Sequence, residues 1–278
     1  MAYKRILTIQ DISCVGQCST TVAMPILSAC GHETCILPTA LLSTHTGGFG
    51  KPSIVHLDHA MEDMWRHWKE NGITFDAILV GYLGSMAAIE ITERILKELL
   101  APEGISIVDP AMGDHGKLYS GFDPEYARTM ERLCRQADII LPNITEAAMF
   151  AGLPYQEVLD ENYVRGLLET LHHPCVILTG VGYRAGETGA AIYSDGSLRY
   201  YHHPKVGKNF HGTGDMFAAC FAGALMQGKP LEASVKIAGD FVCKAIANTC
   251  AAPAHWYGVK FETVLPDLIC MLQDQETP

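Results

Sequence analysis

The chain has 278 residues, 48% hydrophobic and 18% charged, which suits one large α/β domain and excludes a disordered segment. Twenty Lys and Arg against 31 Asp and Glu give a formal charge of −11 with no basic cluster, which argues against nucleic acid as a partner. Ten Cys without a CxxC pair, several inside apolar runs, read as free thiols of a reducing cytoplasm rather than a disulfide framework or a zinc site.

In "MAYKRILTIQD" the apolar run ends at Asp11, too early for a signal peptide, so 5–10 reads as a strand. Residues 12–50 carry one formal charge, Glu33, yet are rich in Ser, Thr, Gln, Gly and Pro. That composition argues against a membrane span and suggests a segment that is buried or lines a pocket. Further runs at 33–39, 75–83, 104–110, 137–143 and 174–180 are near-continuous in Ile, Leu and Val, the pattern of parallel strands covered on both faces. Helical periodicity fills the gaps, near 17–30, 57–71, 86–100, 123–136, 145–151 and 160–172. The alternation predicts a doubly wound α/β sheet. Then "GAAIYSDGSLRYYHHP" (189–204) reads as an antiparallel hairpin around an Asp-Gly turn. Helices at about 213–227, 231–250 and 261–273 complete the chain, the first stopped by Gly228 and Pro230. With no linker, repeat or low-complexity tract, residues 1–278 read as one domain.

Ligands of open parallel sheets bind outside the carboxyl ends of the strands. Here those ends carry polar or glycine residues six times: Gln10 and Asp11, "STHTGG" (43–48), "GYLGS", Asp109-Pro110, Asn143 with Glu146, and Thr179-Gly180. The stretch "FHGTGDMFAACFAGAL" (210–225) adds two glycines before an apolar helix, with Asp215 in its first turn. Glycines there permit close approach of a ligand, and the helix's free N–H groups favour an anion. The same field is expected to hold Asp215 ionised, and a carboxylate beside a phosphate can take a proton from a hydroxyl. The plain alternative is an acidic residue stabilising a helix start. Asp109 precedes the glycine-rich loop "PAMGDHGKLYSGF" (110–122), which could fold over a reacting phosphate or be only an exposed turn. Asn143 and Glu146 could position magnesium through water or simply start a helix. His45, His211 and His255 taken singly read as structural groups. There is no Walker A, H-E-x-x-H or G-x-S-x-G sequence, and "GVGYRA" (180–185) imitates a dinucleotide fingerprint but leads to a strand.

Taken in order, "ILTIQD", "STHTGGFG", "ILVGYLGS", "VDPAMGD", "LPNITEAAMF" and "GTGDMFAA" resemble the ribokinase-like superfamily, specifically its pyridoxal kinase branch, over residues 6–219. The resemblance implies a three-layer α/β sandwich with a mostly parallel sheet and an antiparallel edge hairpin. It also implies ATP-dependent phosphorylation of the hydroxymethyl group of pyridoxal, pyridoxine or pyridoxamine, with magnesium and often a monovalent cation such as potassium. Residue by residue, Asp215 matches the catalytic base, and Gly212, Thr213 and Gly214 the anion hole. Asp109 and Glu146 match the acids around magnesium, with Asn143 in the same motif. Thr179, Gly180 and Lys208, Asn209, Phe210 and His211 fall where the nucleotide is held. Thr46, Gly47 and Tyr82 match the pyridine pocket, and Asp114, Lys117 and Tyr119 lie in the lid. Two positions depart from the pattern. Asp11 stands where the family usually has a Ser that meets the ring nitrogen, and a carboxylate there would favour a protonated pyridinium. Leu42, with Leu41 beside it, replaces a frequent aromatic residue. The alternatives are a kinase of hydroxymethylpyrimidine, which shares the GTGD turn, and a non-catalytic vitamin-binding protein. The resemblance further implies a homodimer, while the cysteine usage points to the cytoplasm and the composition to no membrane partner.

Overall fold

The computed structural model describes residues 3–207, 210–252 and 254–273. Six strands, β1 (Arg5–Ser13), β2 (Glu33–Leu42), β4 (Phe75–Val80), β5 (Leu100–Val108), β8 (Ile139–Ile140) and β9 (Cys175–Thr179), run parallel in one nine-stranded sheet. Antiparallel strands close both edges, β3 (Ile54–His56) beside β2 and the hairpin β10 (Glu187–Ser194) and β11 (Ser197–Pro204) beside β9. The order β11-β10-β9-β8-β5-β4-β1-β2-β3 reverses the direction of winding at β1, where a crevice opens at the carboxyl ends.

Helices cover both faces, which is why the parallel strands are apolar throughout rather than alternating. On one face pack α2 (Asp58–Glu70), α3 (Met86–Leu99), α4 (Pro124–Cys134), α5 (Ile144–Ala151) and α6 (Glu161–Leu171), around Trp65, Phe75, Ile89 and Leu167. On the other lie α1 (Thr20–Ala29), α7 (Thr213–Met226), α8 (Leu231–Cys250) and α9 (Leu265–Gln273), around Ile26, Phe221 and Phe241. This is the expected three-layer sandwich with its edge hairpin. α7 sits deepest, and its small residues allow that: Gly223 lies against Cys30 so closely that an added Cβ would overlap the sulfur. No described helix is long and apolar enough to cross a membrane.

Several boundaries differ from expectation for local reasons. The helix expected from 17 starts at Thr20, because Gly16, Gln17 and Ser19 all take positive φ. The strand expected over 137–143 shrinks to Ile139–Ile140, since Asn143 turns away to cap α5. The helix expected over 261–273 begins with a 3₁₀ turn, Glu262–Val264. The "GVGYRA" segment joins β9 to β10 and opens no helix, as its sequence context indicated. The loop expected over 110–122 is not featureless: it contains a two-residue ladder, β6 (Gly113–Asp114) with β7 (Lys117–Leu118).

Candidate active site

The strand ends and the start of α7 surround one cleft of about 860 Å³, within the usual range for a small-molecule site. Its centre is the turn before α7. Gly212 has φ 80°, and a side chain there would strike the Gln17 carbonyl, so the chain can pass this point only as glycine. Among the described residues no side chain caps the helix; the Thr213 hydroxyl donates to the Phe210 carbonyl instead. The first-turn N–H groups therefore have no side-chain cap and lie in the cleft wall, where an anion is favoured.

Asp215 lines this cleft from the first turn of α7. Burial pushes its carboxyl up to about 6, against the Ser19 backbone N–H, and the Asp11 carboxylate adds to the rise. The expectation that the helix field would hold it low is thus corrected: desolvation wins. Asp109 directly follows β5, with Oδ1 accepting the Ala111 amide at 3.2 Å. Its Oδ2 lies 3.9 Å from where a Cβ on Gly214 would stand, which aims it at the turn. Burial, then Glu146, then Asp215 raise its pKa well above the ordinary range.

Glu146 is 1% exposed and committed on both oxygens. Oε1 accepts the Met112 and Gly113 amides at 2.9 and 3.4 Å, and Oε2 accepts the Asn143 amide at 2.9 Å. Asn143 reciprocates, taking the Glu146 amide at 3.0 Å in a capping box, and its Nδ2 donates to the Gly113 carbonyl at 2.8 Å. Thr145 Oγ1 holds the Gly116 amide at 2.9 Å. Of the two readings of this motif the helix start is present, and the same residues also moor the 110–122 loop to it. Burial raises Glu146 to about 7 in spite of its three backbone donors. Among the described residues no group of three His, Cys, Asp or Glu is arranged to hold a metal. Two neighbouring acids beside an anion turn instead suit an ion that keeps its water and shares phosphate oxygens.

At the β1 limb, Asp11 is 3% exposed and accepts the Ser13 hydroxyl at 2.9 Å; burial raises its pKa against bonds from Ser19 and Ser13. The β1–β2 register slips here, with Gln10 opposite Pro38 but Ile12 opposite Leu41, so the ladder breaks where Asp11 stands. Thr46, Gly47, Tyr82 and Leu42 line the same limb, while Leu41 turns outward. Tyr82 stacks at 5.6 Å on Phe122, the last lid residue, which stacks in turn on Tyr126 at 3.8 Å.

At the opposite limb, Thr179, Gly180 and Phe210 line the cleft, while His211 lies against His45 and Gly47 of the β1 limb. Lys208 and Asn209 lie outside the described residues. In the lid, Asp114 and Tyr119 line the cleft; Lys117 is exposed on the β6–β7 ladder away from its wall. Sequence reasoning missed other lining groups. His45 packs on His211 with ring centroids 4.5 Å apart, and both rings crowd Gly47, where a Cβ would stand 2.7 Å from His211 Nε2. Cys18 lines the floor as a thiol pushed up to about 12 by burial and the Asp215 charge. Val242 and Ile246 of α8 form the far wall; their only sequence signal was helical periodicity.

The model of the phosphomethylpyrimidine kinase family matches residues 27–259. A pyridoxine/pyridoxal/pyridoxamine kinase of Bordetella avium is 27% identical over 88% of this chain and 85% of its own. Among solved structures, pyridoxal kinase from Lactobacillus plantarum has a TM-score of 0.90 at 34% identity, covering 97% of this chain and 98% of that one. A proposed phosphomethylpyrimidine kinase from Bacteroides thetaiotaomicron, in its crystal form with pyridoxal, has a TM-score of 0.88 at 33% identity, covering 96% of each chain.

Proposed function

The chain belongs to the phosphomethylpyrimidine kinase family, and we propose that it transfers the γ-phosphoryl group of ATP to the hydroxymethyl group of pyridoxal, pyridoxine or pyridoxamine. The observation that carries this reading is the meeting of Asp215 with an uncapped, glycine-led helix start in one cleft. A base held near about 6 is mostly ionised at neutral pH and still able to accept a proton from an alcohol. Asp215 then orients the hydroxyl and takes its proton, while the N–H groups of 212–215 stabilise charge on the group in transfer. The lid over 110–122 excludes water. Asp11 and Tyr82 hold the pyridine ring at the β1 limb, and Thr179, Gly180 and Phe210 hold the nucleotide at the other, to which the resemblance adds Lys208, Asn209 and His211.

Asp109 and Glu146 would hold magnesium beside the turn. Bound there, the ion would neutralise the phosphate oxygens. The pyridoxal in the Bacteroides thetaiotaomicron crystal form and the likeness to the Bordetella avium and Lactobacillus plantarum kinases support a B6 acceptor. The description of the family model favours a second reading, phosphorylation of hydroxymethylpyrimidine. One ADP-release assay across the three B6 alcohols and hydroxymethylpyrimidine separates them. Turnover of the pyrimidine alone would reverse the order, and ligand binding without ADP release would make the protein a carrier. The continuous sheet supports one kinase domain over 1–278, and the ten unpaired cysteines support a reducing cytoplasm. Light scattering checks the homodimer that the resemblance implies.

A further inference from the structure

The cleft's far limb contains an imidazole whose tautomer its neighbours dictate. His203, near the end of β11, lines the cleft. Its Nδ1 lies 2.9 Å from the Pro204 carbonyl oxygen, which can only accept, so Nδ1 carries the proton. The Cys243 sulfur, on α8, is also 2.9 Å from Nδ1. Burial pushes that thiol up to about 11, so it stays uncharged and shares the same proton as a weak second acceptor. A neutral imidazole protonated at Nδ1 is an acceptor at Nε2. Among the described residues both hydrogen-bond contacts of the His203 ring fall on Nδ1, which leaves Nε2 to a ligand in the cleft the residue lines. Tyr201 and α8's Gly239, Val242 and Ile246 line the same cleft and give it a mostly apolar slot. Gly239 is obligatory there, because a Cβ would run into the Tyr201 ring, whose hydroxyl is tied to Asp240 at 2.6 Å.

With phosphates at the start of α7 and the acceptor alcohol at the β1 limb, the nucleoside of the donor extends toward this slot. We propose that His203 Nε2 is a base-specificity acceptor that takes a hydrogen bond from the exocyclic amine of adenine and disfavours a 6-oxopurine. A 6-oxo group would set an oxygen lone pair against the Nε2 lone pair and leave both unpaired. This inference rests on the nucleotide orientation in the kinase reading, but not on the identity of the acceptor alcohol.

The test is calorimetric binding of ADP and inosine diphosphate, with magnesium, to the wild-type chain and to His203→Asn and His203→Gln. The asparagine variant keeps a donor near the Nδ1 position and loses the acceptor at Nε2. The glutamine variant keeps an amide oxygen near Nε2. Wild type is expected to bind ADP roughly tenfold tighter than inosine diphosphate, as one hydrogen bond and one avoided repulsion would give. Asn should bring that ratio close to one and Gln should retain most of it, with thermal melting confirming that both variants fold. A ratio unchanged in His203→Asn, or an equal loss in both variants, overturns the proposal, as does a wild-type chain that binds neither nucleotide. ADP selectivity in a chain that phosphorylates none of the alcohols would sink the kinase reading and leave this one standing.

Discussion

Two helix starts face the same cleft and meet the same shortage of hydrogen-bond partners differently. α5 closes its first turn with its own side chains, Asn143 and Glu146 in reciprocal bonds, and uses the remaining capacity of Glu146 to hold the Met112 and Gly113 amides. α7 begins on Gly212, has no side-chain cap and faces the cleft. A helix start that satisfies itself can anchor protein; one without a cap can receive a ligand. The acids follow the same division, since among the described residues Glu146 has three backbone donors and Asp215 has the Ser19 amide alone.

Removing the acid of the open start tests the contrast most severely. Asp215→Asn should lower turnover by about 10²–10⁴-fold while ADP affinity is retained, as measured by ADP release and calorimetry. Next in size, Asp11→Ala should raise KM for the B6 alcohols by roughly tenfold or more with kcat little changed, the loss expected of a charge-assisted bond. Untouched Michaelis constants for all three vitamers would remove Asp11 from the ring-nitrogen role. Stability should respond in opposite senses at the two starts. Glu146→Ala leaves three backbone donors short of an acceptor and should cost about 1–3 kcal/mol in denaturant unfolding, whereas Asp215→Asn removes a poorly solvated charge and should raise Tm at pH 8.

The smallest effect is that of pH. Asp215 sits at about 6 and Glu146 at about 7, both above their values in the unfolded chain, so the folded state binds more protons between roughly pH 4 and 7. That contribution is fully present below the unfolded values and is lost as pH rises through the folded ones. The ligand-free chain should therefore gain from these two groups as pH falls from 8 toward 5, and Asp215→Asn should flatten the profile. Activity runs the other way: kcat/KM should fall on the acid side near pH 6, where the base becomes protonated.

Much of this architecture was legible in the sequence, because long apolar strands and capped helices announce themselves locally. The order of the parallel strands and their helices follows the periodicity, and the GTGD turn and the acids at 109 and 146 line the cleft. β3 was not legible: three exposed residues, Ile54–His56, have no periodicity to detect. His45, Cys18 and the α8 wall were missed for another reason. Each is unremarkable on its own segment and reaches the cleft only through contacts between distant parts of the chain. The rise in Asp215 was hidden because helix polarity is a local property, whereas desolvation depends on everything packed around it.

The mooring of residues 112–116 on α5 has a mechanical corollary. Moving residues 112 and 113 away would strip Glu146 of two backbone donors, so any such opening of the cleft and a rise in the proton affinity of one interior acid are a single event. By thermodynamic reciprocity, any cation settling near that acid must bias the flap, and the flap's position must bias the cation.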